Sequence, residues 1–250
     1  MEARRQRLGN ILGRYVILSS LDCIDCIFYF LQVQIRLNAA CCYNVTGYLD
    51  ICGGSLLNSR WVLTAGHCLS VYGFYPKPQF LKVVLGDHNR NLKVESREHQ
   101  FTVVEAHIYP GYTESVLFSL DFGLLKLSEE VSFADNPHIR PICLPEPAPR
   151  DHYVGRRAIT SGWGLENFIY PSKYLKELRV EVRGEEFCKN STGVISGFEK
   201  YLKTRFNQSL KGHARYDDSN ICTGALVLGE NFCKGDSGGP LITKVSLTKL

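Results

Sequence analysis

From Ile27 onward, short apolar runs alternate with turn-forming residues. Runs at 28–37, 61–65, 80–85, 101–108, 122–127, 158–163, 174–182 and 240–245 are rich in β-branched and aromatic side chains. They are separated by turn chemistry such as Pro110-Gly111 and Pro145-Glu146-Pro147. Runs of this length and composition predict strands, and many short strands with few helical stretches predict an all-β sandwich or barrel. Periodicity alone goes no further. The pattern shows no internal repeat or low-complexity tract. Residues 189–219, between Cys188 and Cys222, are polar and read as an exposed insertion.

The amino-terminal residues have a different texture. Arg4, Arg5 and Arg7 precede a segment, 11–31, that is apolar on average but broken by Arg14, Asp22 and Asp25. A secretory signal needs an unbroken apolar core, and a membrane span would have to bury those charges at considerable cost. Residues 1–29 therefore read as an atypical extension ahead of a domain spanning 30–250, with a weak signal or anchor as the other reading. A membrane-anchored interaction protein is a separate class that rests on this segment alone.

At 250 residues the chain suffices for one large all-β domain or two small ones. Its formal charge of +4 comes from 29 basic and 25 acidic residues, and the basic ones are scattered. That argues against nucleic acid as a partner. Ten cysteines accompany three glycosylation tripeptides, at Asn44, Asn190 and Asn207. Together they point to an oxidising, secretory route and an extracellular location.

Two stretches carry candidate chemistry: Thr64-Ala65-Gly66-His67-Cys68 and Gly235-Asp236-Ser237-Gly238-Gly239-Pro240. A serine hydroxyl is a poor nucleophile at neutral pH, and it needs a nearby base and N–H donors for the developing oxyanion. Glycines flanking Ser237 permit the backbone angles that aim neighbouring N–H groups at one point. With Asp121-Phe122-Gly123-Leu124-Leu125-Lys126-Leu127, these stretches resemble the chymotrypsin/trypsin family of serine endopeptidases over about 32–241. The family's strand at the last motif reads Asp-Ile-Ala-Leu-Leu-Lys-Leu.

The resemblance implies two six-stranded antiparallel barrels with the active site between them, the second barrel incomplete here. The chain would cross between barrels at 141–150. It implies Ser237 as nucleophile, His67 as general base, and Asp121 as the acid that orients His67. The chain order His, Asp, Ser is that of chymotrypsin-type enzymes. Gly235 and Ser237 would supply the oxyanion-hole N–H groups. Gly66 stands where the family usually has Ala.

The same resemblance pairs Cys52 with Cys68 and Cys188 with Cys222, and gives Cys143 a partner in Cys23 or Cys26. The family's disulfide beneath the serine lacks both halves, since Ala158 and Thr243 stand at its positions. A zinc site built on Cys23, Cys26, Cys41 and Cys42 is a minor alternative, because no second spaced pair accompanies them. The loop from Gly86 to Glu98 resembles the family's calcium-binding loop. Asp87, Asn89, Glu95 and Glu98 are its candidate oxygen ligands, and a solvated acidic hairpin is the other reading.

Three features depart from the family. No Ile-Val-Gly-Gly activation sequence is present; Arg14-Tyr15-Val16-Ile17 is a degenerate substitute for the segment whose freed amine pairs with Asp236. The chain ends ten residues after Pro240, before the family's Ser-Trp-Gly segment, which leaves Cys233 without its usual partner. Asn231 matches the base of the specificity pocket, and its neutral amide does not support cleavage after Lys or Arg. The leading expectation is a secreted serine endopeptidase acting on proteins or peptides, open to protease inhibitors and needing no catalytic cofactor. The alternative is a catalytically inactive, truncated homologue that acts as a binding or decoy module.

Overall fold

The computed structural model describes residues 16–20, 32–39, 46–70, 75–90, 98–112, 120–145, 148–166, 170–184, 186–187, 221–227 and 235–244. Six strands close into an antiparallel barrel. They are β2 (Gln32–Asn38), β3 (Tyr48–Leu56), β4 (Trp61–Thr64), β5 (Leu81–Leu85), β6 (His99–Ile108) and β7 (Gly123–Leu127), in the order β2-β3-β4-β7-β6-β5. Alternation builds its core. Val33, Ile35 and Leu37 of β2 meet Leu81, Val83 and Leu85 of β5, and Leu125 and Leu127 of β7 complete the interior. A register shift at Ile35/Arg36 and another between Val103 and Glu105 bend the strands enough to close the barrel.

A five-stranded sheet of order β1-β13-β8-β11-β12 forms the second half. Its strands are β1 (Val16–Ser20), β8 (Arg157–Gly162), β11 (Lys176–Arg183), β12 (Cys222–Ala225) and β13 (Pro240–Lys244). A small hairpin of β9 (Leu165–Glu166) and β10 (Tyr170–Pro171) follows β8. Among the described residues this sheet is open, so of the two barrels expected one is seen closed and the second is not seen as a barrel. Tyr153, Ala158, Leu178, Val180, Val182 and Leu241 form its core. Leu63, Ile142 and Ile242 make a third cluster between the two halves.

Nearly every apolar run singled out above corresponds to a strand. The sequence pattern did not predict β1, β3, β12 or the small hairpin. β1 pairs in parallel with β13, Val16 opposite Pro240 and Ser20 opposite Lys244. Val16 and Ile17, part of the segment expected above to replace the activation sequence, lie along the strand that leaves the Ser237 loop. Thr243 sits opposite Ala158 in the β13–β8 register, and both are buried. The two residues at the positions of the family's missing disulfide therefore face each other as an apolar–hydroxyl pair, with Thr243 Oγ1 donating to the Arg157 carbonyl at 3.3 Å.

Candidate active site

Strand pairing brings His67 and Asp121 together. β4 and β7 are antiparallel with Thr64 opposite Gly123. His67 lies just past the end of β4, in a 3-10 turn at Gly66–Leu69, and Asp121 lies just before β7, so both leave the barrel at one end. Asp121 Oδ2 is 2.6 Å from His67 Nδ1, and Asp121 Oδ1 accepts the His67 backbone N–H at 2.7 Å. The carboxylate side chain is only 6% exposed. A buried acid needs donors, and here it has two from one residue. This contact places the proton on Nδ1 and leaves Nε2 as the basic nitrogen. A Cβ on Gly66 would lie 3.1 Å from the Phe122 carbonyl and 3.2 Å from Asp121 Oδ1. Glycine at that position gives the carboxylate room.

Ser237 occupies the tight loop before β13. Its carbonyl accepts the Gly53 N–H at 2.8 Å. Cys68 Sγ lies 3.7 Å from that carbonyl and 3.7 Å from His67 Nε2, so the serine backbone and the imidazole share one neighbourhood. Gly235 has φ +105° and Gly238 has φ +80°, angles that a side chain would strain. A Cβ on Gly238 would also crowd the Gly53 carbonyl at 2.7 Å and the Ala65 nitrogen at 2.9 Å. The loop is thus pressed directly onto β3 and the end of β4. Cys52 and Cys68 are joined in a disulfide that ties β3 to the histidine turn.

Asp236 is buried. Its Oδ1 accepts the Gly164 N–H at 2.7 Å, and its carbonyl accepts the Gly239 N–H at 3.1 Å. Gly162 and Gly164 flank the carboxylate so closely that a Cβ on either would collide with it. Behind them, Ser161 Oγ donates to Gln32 Oε1 at 2.9 Å and links the sheet to the barrel. The sequence pattern did not single out Gly162, Gly164 or Gln32. The small residues in Ser161-Gly162-Trp163-Gly164 were the available signal for a close approach.

Other expected site residues fall elsewhere. Asp87 and Asn89 lie in the turn after β5 and Glu98 at the entry to β6, all remote in the chain from the His67–Asp121 pair. Burial raises the pKa of Asp87 above the usual carboxylate range, and the Glu98 carboxylate adds to the effect against the pull of Arg36 and Arg90. Cys222 is disulfide-bonded. Asn44, Cys188, Asn190, Asn207, Asn231, Glu95, Cys23, Cys26, Cys41, Cys42 and Cys233 lie outside the described residues. Among those described, no helix is long and apolar enough to cross a membrane.

A barrel of this topology with a histidine–aspartate pair and a glycine-framed serine at its end defines the trypsin-like class. The Trypsin family matches residues 32–248, and the chain belongs to that family. It is 33% identical over 212 residues to mouse kallikrein 1-related peptidase b3, covering 80% of this chain and 67% of the relative. It is 34% identical to rat granzyme M, covering 77% of this chain and 64% of the relative. Identity to mouse mannan-binding lectin serine protease 1 is 32% over 77% of the chain, which spans only 25% of that longer protein. Among solved structures, human heparin binding protein shares the fold with a TM-score of 0.59 at 22% identity, covering 86% of this chain and 75% of that one.

Proposed function

We propose that this protein is a serine endopeptidase that cleaves peptide bonds through an acyl-enzyme on Ser237. The observation that carries the reading is the doubly bonded His67–Asp121 pair beside the serine loop of a trypsin-family chain. His67 Nε2 takes the Ser237 hydroxyl proton as the oxygen attacks the substrate carbonyl. The backbone N–H groups of Gly235 and Ser237 stabilise the oxyanion. His67 then passes its proton to the leaving amine, and water, deprotonated by the same nitrogen, releases the acyl group. Asp121 fixes the tautomer and stabilises the imidazolium.

The substrates are proteins or peptides, protease inhibitors are natural ligands of the same cleft, and the setting is extracellular. Cys188 bonds Cys222 across the polar insertion, and Asn44, Asn190 and Asn207 carry glycans. Asn231 at the pocket base disfavours cleavage after Lys or Arg. Labelling of the folded chain by a fluorophosphonate tests the mechanism, with Ser237→Ala as control. Labelling that disappears in the control is the expected result. A folded chain that takes no label overturns the reading and leaves a binding or decoy module.

A further inference from the structure

The acidic loop of the first barrel allows a test of whether its residues suit the calcium ion that the resemblance implies. A Ca²⁺ site gathers roughly six to eight oxygens around one point. Here a guanidinium lies among the carboxylates instead. Arg36 Nε donates to Asp50 Oδ1 at 2.9 Å, Nη1 lies 3.5 Å from Glu98 Oε1, and Nη2 lies 3.7 Å from Asp87 Oδ2. Arg90 Nη1 is 3.1 Å from Asp50 Oδ2. The Asp87 carboxylate is fully buried with neither oxygen hydrogen-bonded, and Arg36 is its nearest ion-pair partner. Among the described residues, the metal-type ligand atoms that lie within 4.8 Å of one another belong to Cys52, His67 and Cys68, two of them spent in the disulfide. Asp50, Asp87 and Glu98 do not converge in that way. A divalent cation among these acids would face two fixed positive charges. Among the described residues, which do not include Glu95, the donors do not fit the ion.

We propose that Arg36 stands in place of the cation: its guanidinium, carried on the barrel wall, offsets the charge of the buried Asp87 and the half-buried Glu98 and makes the domain independent of Ca²⁺. The physical basis is threefold. Guanidinium stays protonated throughout the working pH range, so its charge is constant. Its planar fork serves several carboxylates at once. The β2–β3 register sets Arg36 opposite Asp50, so the charge is delivered by the fold and need not be recruited from solution. Among the described residues, removing that guanidinium leaves Asp50, Asp87 and Glu98 with Arg90 as the remaining neighbouring cation. Excess negative charge around a buried, unbonded carboxylate is the condition under which a hard cation is taken up. This inference stands independently of the catalytic proposal.

The test is thermal unfolding of the full chain and of Arg36→Gln, each in EGTA, in 10 mM CaCl₂ and in 10 mM MgCl₂. The wild-type midpoint should agree across all three within about 1 °C. Arg36→Gln should melt lower in EGTA and recover about 3–6 °C in CaCl₂, as expected of a site with a millimolar dissociation constant. MgCl₂ should restore much less, because the smaller ion dehydrates reluctantly. A calcium-dependent rise of that size in the wild type overturns the proposal, and so does a folded Arg36→Gln that ignores calcium. Should the variant not fold, Tb³⁺ luminescence on the wild type decides. Saturable binding displaced by Ca²⁺ overturns the proposal, and its absence sustains it.

Discussion

His67 and Asp121 are joined twice, ring to carboxylate at 2.6 Å and backbone N–H to carboxylate at 2.7 Å. One side chain therefore sets both the tautomer of the imidazole and the position of the turn that carries it. The two roles separate by substitution. Asp121→Asn can keep an oxygen acceptor for the backbone N–H, but its amide can no longer accept from Nδ1–H. Catalysis should fall about 10⁴-fold, the loss seen for this change in the chymotrypsin-type template, while the melting temperature stays near that of the wild type. Asp121→Ala removes both acceptors and strands the backbone N–H, which should cost a further 1–3 kcal/mol, or roughly 2–10 °C. Peptidase assays and thermal melts on both variants check this. Equal melting losses would show that the backbone bond carries no weight.

Asp236 gives a second prediction. Its carboxylate fills the space left by the missing side chains of Gly162 and Gly164, and it is held by the Gly164 N–H. Gly164→Ala should push the carboxylate out of this cradle and disturb the adjoining Ser237 loop. Collision with a buried charged group should destabilise the fold by about 2–4 kcal/mol. Fluorophosphonate labelling should fall more steeply than stability when both are measured at a temperature where the variant remains folded. A variant that labels at the wild-type rate would mean that the Ser237 loop is positioned independently of Asp236.

Legibility from the sequence followed how strongly each segment's local pattern agreed with its packing. Strands β4, β5, β6 and β7 lie close to the runs at 61–65, 80–85, 101–108 and 122–127, because each contributes apolar side chains to one core. β3 was hidden by Gly53 and Gly54. A Cβ on Gly53 would lie 3.1 Å from Gly239 Cα, and one on Gly54 3.0 Å from the Leu63 carbonyl. Packing demands glycines there, and glycines lower the strand signal. The segment containing β1 merged with the apolar stretch at 11–31 and read as an extension. The Cys52–Cys68 bond and the nearness of His67 to Asp121 were legible because short motifs mark them. The Arg36 cluster was not: Glu98 lies 62 residues from Arg36, and only barrel closure brings them together.

Asp87 makes stability depend on pH in a definite direction. Burial, reinforced by Glu98, raises its folded-state pKa above that of an aspartate in water. A carboxyl whose pKa is raised by folding binds its proton more tightly in the native state. Its contribution is fully favourable below the unfolded pKa and is lost as pH rises through the folded value. Asp87→Asn removes that titration. The variant's melting temperature should gain on the wild type progressively above pH 4 and level off once the wild-type carboxyl is ionised. A gap that narrows as pH rises would mean that pairing with Arg36 outweighs burial.

The parallel pairing of β1 with β13 supports the last prediction. β13 begins at Pro240, directly after the Ser237 loop, and Val16 is aligned with that residue. On its other edge β13 pairs with β8 through Leu241, Ile242 and Thr243. β1 therefore covers one edge of the strand that anchors the candidate nucleophile loop, and an uncovered edge is both mobile and open to pairing with another chain. Deleting residues 1–20 should speed amide hydrogen exchange in β13 while leaving β5 and β7 protected, since those strands close within the barrel. It should also increase self-association at high concentration, read by light scattering. If exchange in β13 is unchanged by the deletion, β1 contributes nothing to holding that strand, and the Ser237 loop owes its order to β8, to the Asp236–Gly164 hydrogen bond and to its contact with Gly53.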